Sequence, residues 1–189
     1  MSKIAGMTVA LSLALAACVT TAPPRLTAVG EPIPAGVNFA GQWQLQREAT
    51  ELAQRSGTGL QDVLAPARGD RNRGRPVSRG PSVYVFLRTG NRLKISQTPH
   101  GLFVSFDRSV VEEYRFHEHR VVSVGPIEAD RVSGWVEDRY VIRTLDSDGA
   151  LLEETYSLGA DGDVLARTVT IVHENKEVFS LQQQYDRLD

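Results

Sequence analysis

The sequence predicts a mainly all-β protein, an antiparallel up-and-down meander curled into a barrel or a strongly bent sheet. Two observations carry this. From Arg92 to Asp186 apolar residues recur at every second position in run after run, the spacing of strands with one buried face. Between the runs stand turn sequences, above all Asp146-Ser147-Asp148-Gly149 and Ala160-Asp161-Gly162-Asp163. Asp-Gly between alternating runs is the strongest short-range signal of a hairpin. Hairpin-linked strands still leave two free edges, and curling or closure protects them.

The first strand is expected within 38–46, where Phe39, Gly41, Trp43 and Leu45 alternate with polar or small residues. Residues 49–81 break the pattern and form a short helical or disordered insertion. Ala49 to Arg55 suits a short helix and Leu60 to Leu64 a further turn. Arg68, Arg71, Arg73, Arg75 and Arg79 then lie among glycines and prolines, a composition that cannot bury a core and reads as a mobile loop. Ser82 to Arg88 fits two readings: Val83, Phe86 and Leu87 have helical spacing, while Val83, Val85 and Leu87 alternate. Entry at Pro81 tips the choice to a short helix. Strands follow at Arg92–Thr98, Leu102–Asp107, Val110–Phe116, Arg120–Val124, Arg131–Glu137, Arg139–Leu145, Leu151–Leu158, Val164–Val172 and Lys176–Asp186.

Ahead of this domain, Lys3 precedes an apolar run from Ala5 to Ala17, and Leu15-Ala16-Ala17-Cys18 ends it. A charged start, a short apolar stretch and small residues before a cleavage point are the marks of an export signal. With the cysteine directly after that stretch, the segment resembles the lipobox of bacterial lipoproteins. That resemblance implies removal of residues 1–17 and acylation of Cys18, whose several acyl chains give stable membrane anchoring. With Val19 and Thr20 following and no aspartate at the second mature position, the resemblance further implies the outer membrane, facing the periplasm. Residues 18–37, with Pro23, Pro24, Pro32 and Pro34, are expected to be a flexible tether, and 38–189 the β domain.

Composition narrows the function. Hydrophobic residues make up 41% and charged residues 23%, values of an ordinary globular domain rather than a disordered one. The formal net charge is −2, which gives no general attraction to nucleic acid. The single cysteine, Cys18, rules out an internal disulfide and a multi-cysteine metal site.

Several motifs together resemble a loosely defined group of exported bacterial proteins with lipocalin-like domains, over roughly residues 38–48 and 90–172. They are Gly41-Gln42-Trp43, Leu93-Lys94-Ile95-Ser96-Gln97, the hairpin from Trp135 to Ile142, and Glu154-Thr155-Tyr156-Ser157-Leu158 before Asp161-Gly162. The resemblance implies a barrel in which Gly41, Trp43 and Trp135 are structural, with Trp43 plugging the floor. An arginine- and glycine-rich insertion after the first strand also occurs in that group. Most members have no assigned activity. One departure is Trp135-Val136-Glu137-Asp138-Arg139, which lacks the usual Asp-Gly at its turn.

Candidate chemistry is sparse. His117-Glu118-His119 would put two imidazoles on one face of a strand, beside Glu112 or Glu113, as a transition-metal site. A polar hairpin loop between Phe116 and Arg120 accounts for the same residues, and no metal is assigned. The aspartates of the two Asp-Gly turns fall short of the spaced oxygen series that calcium needs. No nucleophile elbow, zinc-protease helix or phosphate-cradling glycine loop occurs, so neither an enzyme nor a cofactor is expected. The arginines at 68, 71, 73, 75 and 79 are the candidate partner-binding residues, because guanidinium groups grip phosphates and carboxylates in a fork. The partners so implied are an envelope protein, lipopolysaccharide or peptidoglycan. The expectation is a non-catalytic binding module for an apolar ligand or an envelope protein. The alternative is a periplasmic inhibitor or immunity lipoprotein acting against a cell-wall-degrading enzyme.

Overall fold

The computed structural model describes residues 26–27, 30, 32–48 and 81–188. The expected export signal, Cys18, the expected helices of 49–64 and the five arginines of 68–79 lie outside them. Ten strands run β1 Gly41–Leu45, β2 Arg92–Thr98, β3 Gly101–Phe106, β4 Val110–Arg115, β5 Glu118–Val124, β6 Ile127–Val136, β7 Arg139–Asp146, β8 Leu151–Leu158, β9 Val164–His173 and β10 Lys176–Leu188. All pairings are antiparallel, in one sheet ordered β4-β3-β2-β1-β10-β9-β8-β7-β6-β5. First and last strands are therefore neighbours, and the sheet curls into a nearly closed barrel.

The one joint without a ladder is the seam between β4 and β5, although only Phe116 and His117 separate them in sequence. His117 takes a left-handed backbone (φ 58°). The seam is bridged instead by side chains and local backbone. Ser133 Oγ donates to the Arg115 carbonyl at 2.8 Å, His117 N–H to the Ser133 carbonyl at 3.1 Å, and the Arg120 guanidinium to the Glu113 carbonyl.

The hairpins explain the register. Glu174 and Asn175 both adopt left-handed φ, the two-residue turn whose twist matches the strands it joins. Gly149 (φ 82°) and Gly162 (φ 76°) do the same work in the two Asp-Gly turns. In the tryptophan hairpin Val136 pairs with Arg139, so the turn is as tight as one containing Asp-Gly. Glu137 takes the left-handed position itself (φ 56°). At Gly101 a Cβ would meet the Tyr114 carbonyl oxygen at 2.5 Å, so only glycine lets β3 start against β4.

Two strands begin earlier than the alternation suggests. β5 starts at Glu118 and β6 at Ile127, because Gly125 (φ 58°) turns the chain so sharply that Val124 pairs directly with Ile127. The segment Ser82–Phe86 is a 3₁₀ helix entered at Pro81, with Val83 and Phe86 buried, one turn apart.

Candidate functional site

The barrel interior has three levels. At the end where β1 begins, aromatic rings form a floor. Phe39 stacks on Trp135 with centroids 5.3 Å apart, and Phe116 and Tyr140 meet the same indole edge-on. Trp43 is fully buried and its Nε1 donates to the Phe39 carbonyl at 3.0 Å. At the other end the 3₁₀ helix plugs the bore, Val83 and Phe86 packing with Ala150, Leu152, Val169, Ile171, Phe179 and Leu181. Asp146 holds that plug. One carboxylate oxygen accepts from Ser82 Oγ and Val83 N–H, each at 2.8 Å, and the other from Asp148 and Ala150 N–H at 3.0 and 2.8 Å. The first aspartate of the suspected calcium turn is thus spent on capping.

Between floor and plug lies a charged belt. Five successive strands place Trp135 and Tyr140 of the floor, then Tyr156, Arg167 and Gln183, opposite one another, one per strand, on the inner face. Arg167 is fully buried. Its Nε and Nη2 donate to Glu154 at 3.2 and 2.5 Å, Nη1 to Gln183 at 2.7 Å, and Nη2 also to the Arg88 carbonyl at 2.8 Å. Burial opposes its charge, but Tyr156, Glu154 and Tyr185 outweigh that, and the guanidinium stays protonated. A second group sits nearer the seam. Arg131 donates to Thr144 Oγ1 at 2.9 Å and lies 3.3 Å from Glu112, which Arg88 also grips at 2.8 Å. Rings of Phe106 and Tyr156 face Arg167, and those of Phe86 and Tyr114 face Arg131. Burial raises the tyrosine hydroxyls of the bore, pushing Tyr185 up to about 12 and holding Tyr114, Tyr140 and Tyr156 well above their ordinary value. Buried polar atoms of the bore with no hydrogen-bond partner among the described residues include Trp135 Nε1 and Glu154 Oε1.

Of the residues singled out from sequence, Trp43 and Trp135 line the floor at 0% exposure. Gly41 opens β1 at φ 150°, where a Cβ would strike Arg187 at 2.7 Å. The two histidines do not share a strand: His117 forms the corner, and His119 stands on β5, half-exposed, 3.6 Å from Asp130. The corner is two residues long, so Glu118 and His119 belong to the strand rather than to a loop. Among the described residues no three His, Cys, Asp or Glu side chains converge as a metal site. The segment before β1 touches the domain. Gln97 on β2 receives Phe39 N–H and donates to the Val37 carbonyl, while Leu26 lines a cleft of about 360 Å³ with Leu145, Leu151 and Val172.

Sequence reasoning passed over Arg131, Glu154 and Arg167, and weighed Glu112 only as a metal ligand, because charged residues in a strand are expected to face water. The available signal was phase. Glu154 falls between Leu152 and Tyr156, and Arg167 between Leu165 and Val169, each in the apolar half of the alternation.

No protein-family model and no curated protein matches the chain. Similar solved structures include a secretory abundant heat soluble protein from Ramazzottius varieornatus, 10% identical with a TM-score of 0.48, covering 79% of this chain and 95% of that one. Secretory abundant heat soluble protein 4 from the same organism is 15% identical at 0.46, covering 82% and 97%. A point mutant of the fluorescent protein UnaG is 15% identical at 0.44, covering 80% and 96%.

Proposed function

We propose that this chain is a lipid-anchored, non-catalytic binding module of a bacterial envelope, its barrel a packed scaffold and its outer surface the part that meets a partner. One observation carries the reading: Arg167, at the centre of the bore, already spends its donors on Glu154, Gln183 and the Arg88 carbonyl. A buried charge held by this many internal bonds is expensive to free for a ligand. In this reading Cys18 carries the anchor and the domain faces the periplasm. The partner is an envelope protein or an anionic envelope component, lipopolysaccharide or peptidoglycan, with Arg68, Arg71, Arg73, Arg75 and Arg79 contributing to its capture.

A second reading, an amphipathic small molecule inside the bore, is favoured by unpartnered buried polar atoms there, Trp135 Nε1 and Glu154 Oε1 among them. A fluorescent fatty-acid probe titrated into the full-length protein separates the two. Surface binding expects no saturable uptake; stoichiometric uptake that quenches tryptophan emission moves the function into the bore. Anchoring is tested by acyl labelling in cells: Cys18→Ala should abolish the label and accumulate precursor, and a normally labelled variant would remove the anchor from the account.

A further inference from the structure

The outer wall of β1, β2 and β3 carries a cleft of about 280 Å³ whose charged residues are all cations: Arg92, Lys94 and Arg108. Register explains how they meet. Gln42, Lys94 and Ser105 stand opposite one another on adjacent strands, with Leu188 of β10 next to Gln42, and Arg92 sits one outward position from Lys94. Arg108 joins them from the β3–β4 turn, where it holds a left-handed backbone (φ 59°), an uncommon conformation for a long side chain.

The carboxylates nearby are engaged elsewhere. Asp107 accepts from the Asn91 and Arg92 backbone N–H groups at 3.1 and 2.8 Å, and Asp186 accepts from the Gln46 amide. Arg92 Nε donates to the Gln44 carbonyl oxygen, a neutral partner, at 2.8 Å. Among the described residues no ion pair involves Arg92, Lys94 or Arg108. Seven other described arginines do pair: Arg88, Arg115, Arg131, Arg139, Arg143, Arg167 and Arg187 lie within 4 Å of a carboxylate, while Arg120 donates to the Glu113 carbonyl instead.

We propose that this cleft is a phosphate-binding site. Three cations grouped without an ion-paired carboxylate repel one another, and a dianion relieves that repulsion better than a monoanionic carboxylate. Two guanidinium groups offer forked contacts to phosphate oxygens, and the ammonium adds a point charge. Ser105 and Gln42 supply neutral hydrogen-bonding groups, while Leu188, at 38% exposure, gives an apolar flank. The ligand is therefore a phosphate monoester, either free or as a lipid headgroup. The inference rests on the reading that the outer surface does the binding.

The test is calorimetric titration of the full-length protein in low-salt buffer. The probes are inorganic phosphate and a short-chain phosphatidic acid below its micelle concentration. Saturable binding is expected with affinity falling as salt rises, because exposed charges are screened over ~8–10 Å at physiological strength. Lys94→Gln with Arg108→Gln should weaken it about tenfold or more, a change of ~1.4 kcal/mol. Arg139→Gln, exposed at the start of β7, should not. Equal affinity for both probes identifies free phosphate esters; clearly tighter phosphatidic acid identifies a lipid headgroup through the Leu188 flank. No saturable binding by either, or equal binding by the double variant, overturns the site. Uptake of an apolar probe into the bore would instead defeat the surface reading and leave the titration result as it stands.

Discussion

Arg167 and Glu154 form an ion pair 2.5 Å apart with side chains 0% and 1% exposed, so a charged pair shut off from water sits at the centre of the barrel. The two stand on β9 and β8, one inner position apart. Removing one partner leaves the other charge buried and alone, which typically costs ~3–5 kcal/mol, whereas replacing both with apolar residues of similar size is often neutral. Arg167→Met and Glu154→Leu should each lower the denaturant midpoint severely. The double variant should recover most of the loss, as read by chemical denaturation of all four proteins. Additive losses would mean that the pair is not coupled.

Alkaline pH should unfold the protein. In the folded state Tyr114, Tyr140, Tyr156 and Tyr185 have pKa values raised by burial, that of Tyr185 to about 12. Unfolded tyrosine ionises near 10, so above that pH the unfolded chain has lost protons that the native state keeps. Stability is therefore fully present below pH 10 and falls as pH rises toward 12, by up to ~1.4 kcal/mol per pH unit for each such tyrosine. Tyrosinate absorbance should rise together with loss of the near-ultraviolet dichroism. Titration of all the tyrosines near pH 10 with the dichroism intact would contradict their burial.

Asp146 should act as the latch of the plug. Asp146→Ala strips partners from the Val83 and Ala150 amides, both buried, and an unsatisfied buried donor costs ~1–3 kcal/mol. A loss of about 2 kcal/mol is expected, with faster hydrogen exchange at Val83 and Tyr84 than in β9. Unchanged exchange there would show that apolar packing alone seats the helix.

Trp43 should be among the costliest truncations. It is fully buried, its Nε1 is bonded to the Phe39 carbonyl, and the Arg187 guanidinium lies 4.2 Å from its ring centroid. Trp43→Ala should cost ~3–5 kcal/mol by denaturation. A loss under ~1 kcal/mol would be that of a surface residue.

The meander was legible because its signals are local. Alternation through Leu93, Ile95, Leu102, Val104 and Phe106 and the glycines of the Asp-Gly turns report on neighbouring residues alone. The start of β6 was not legible, because its inner positions hold Ala129, Arg131 and Ser133, and this interrupts the apolar rhythm. The β4–β5 seam was hidden for a different reason. Two runs separated by two residues normally ladder, and only the Phe116–His117 corner and the Ser133 bridge to Arg115 direct them apart. The charged belt depends on pairings far apart in sequence. Arg167 is 79 residues from the Arg88 carbonyl it bonds, and no motif spans that interval.

The central claim is that the bore is a finished scaffold and binding belongs to the surface. Native mass spectrometry of the full-length protein purified from its native cells tests it most directly. The account expects the mass of the polypeptide with any covalent lipid and no retained small molecule, in wild type and in Trp135→Phe alike. A stoichiometric apolar or amphipathic adduct that survives detergent exchange, and is lost in Trp135→Phe or Glu154→Gln, would place the ligand inside the barrel and contradict it.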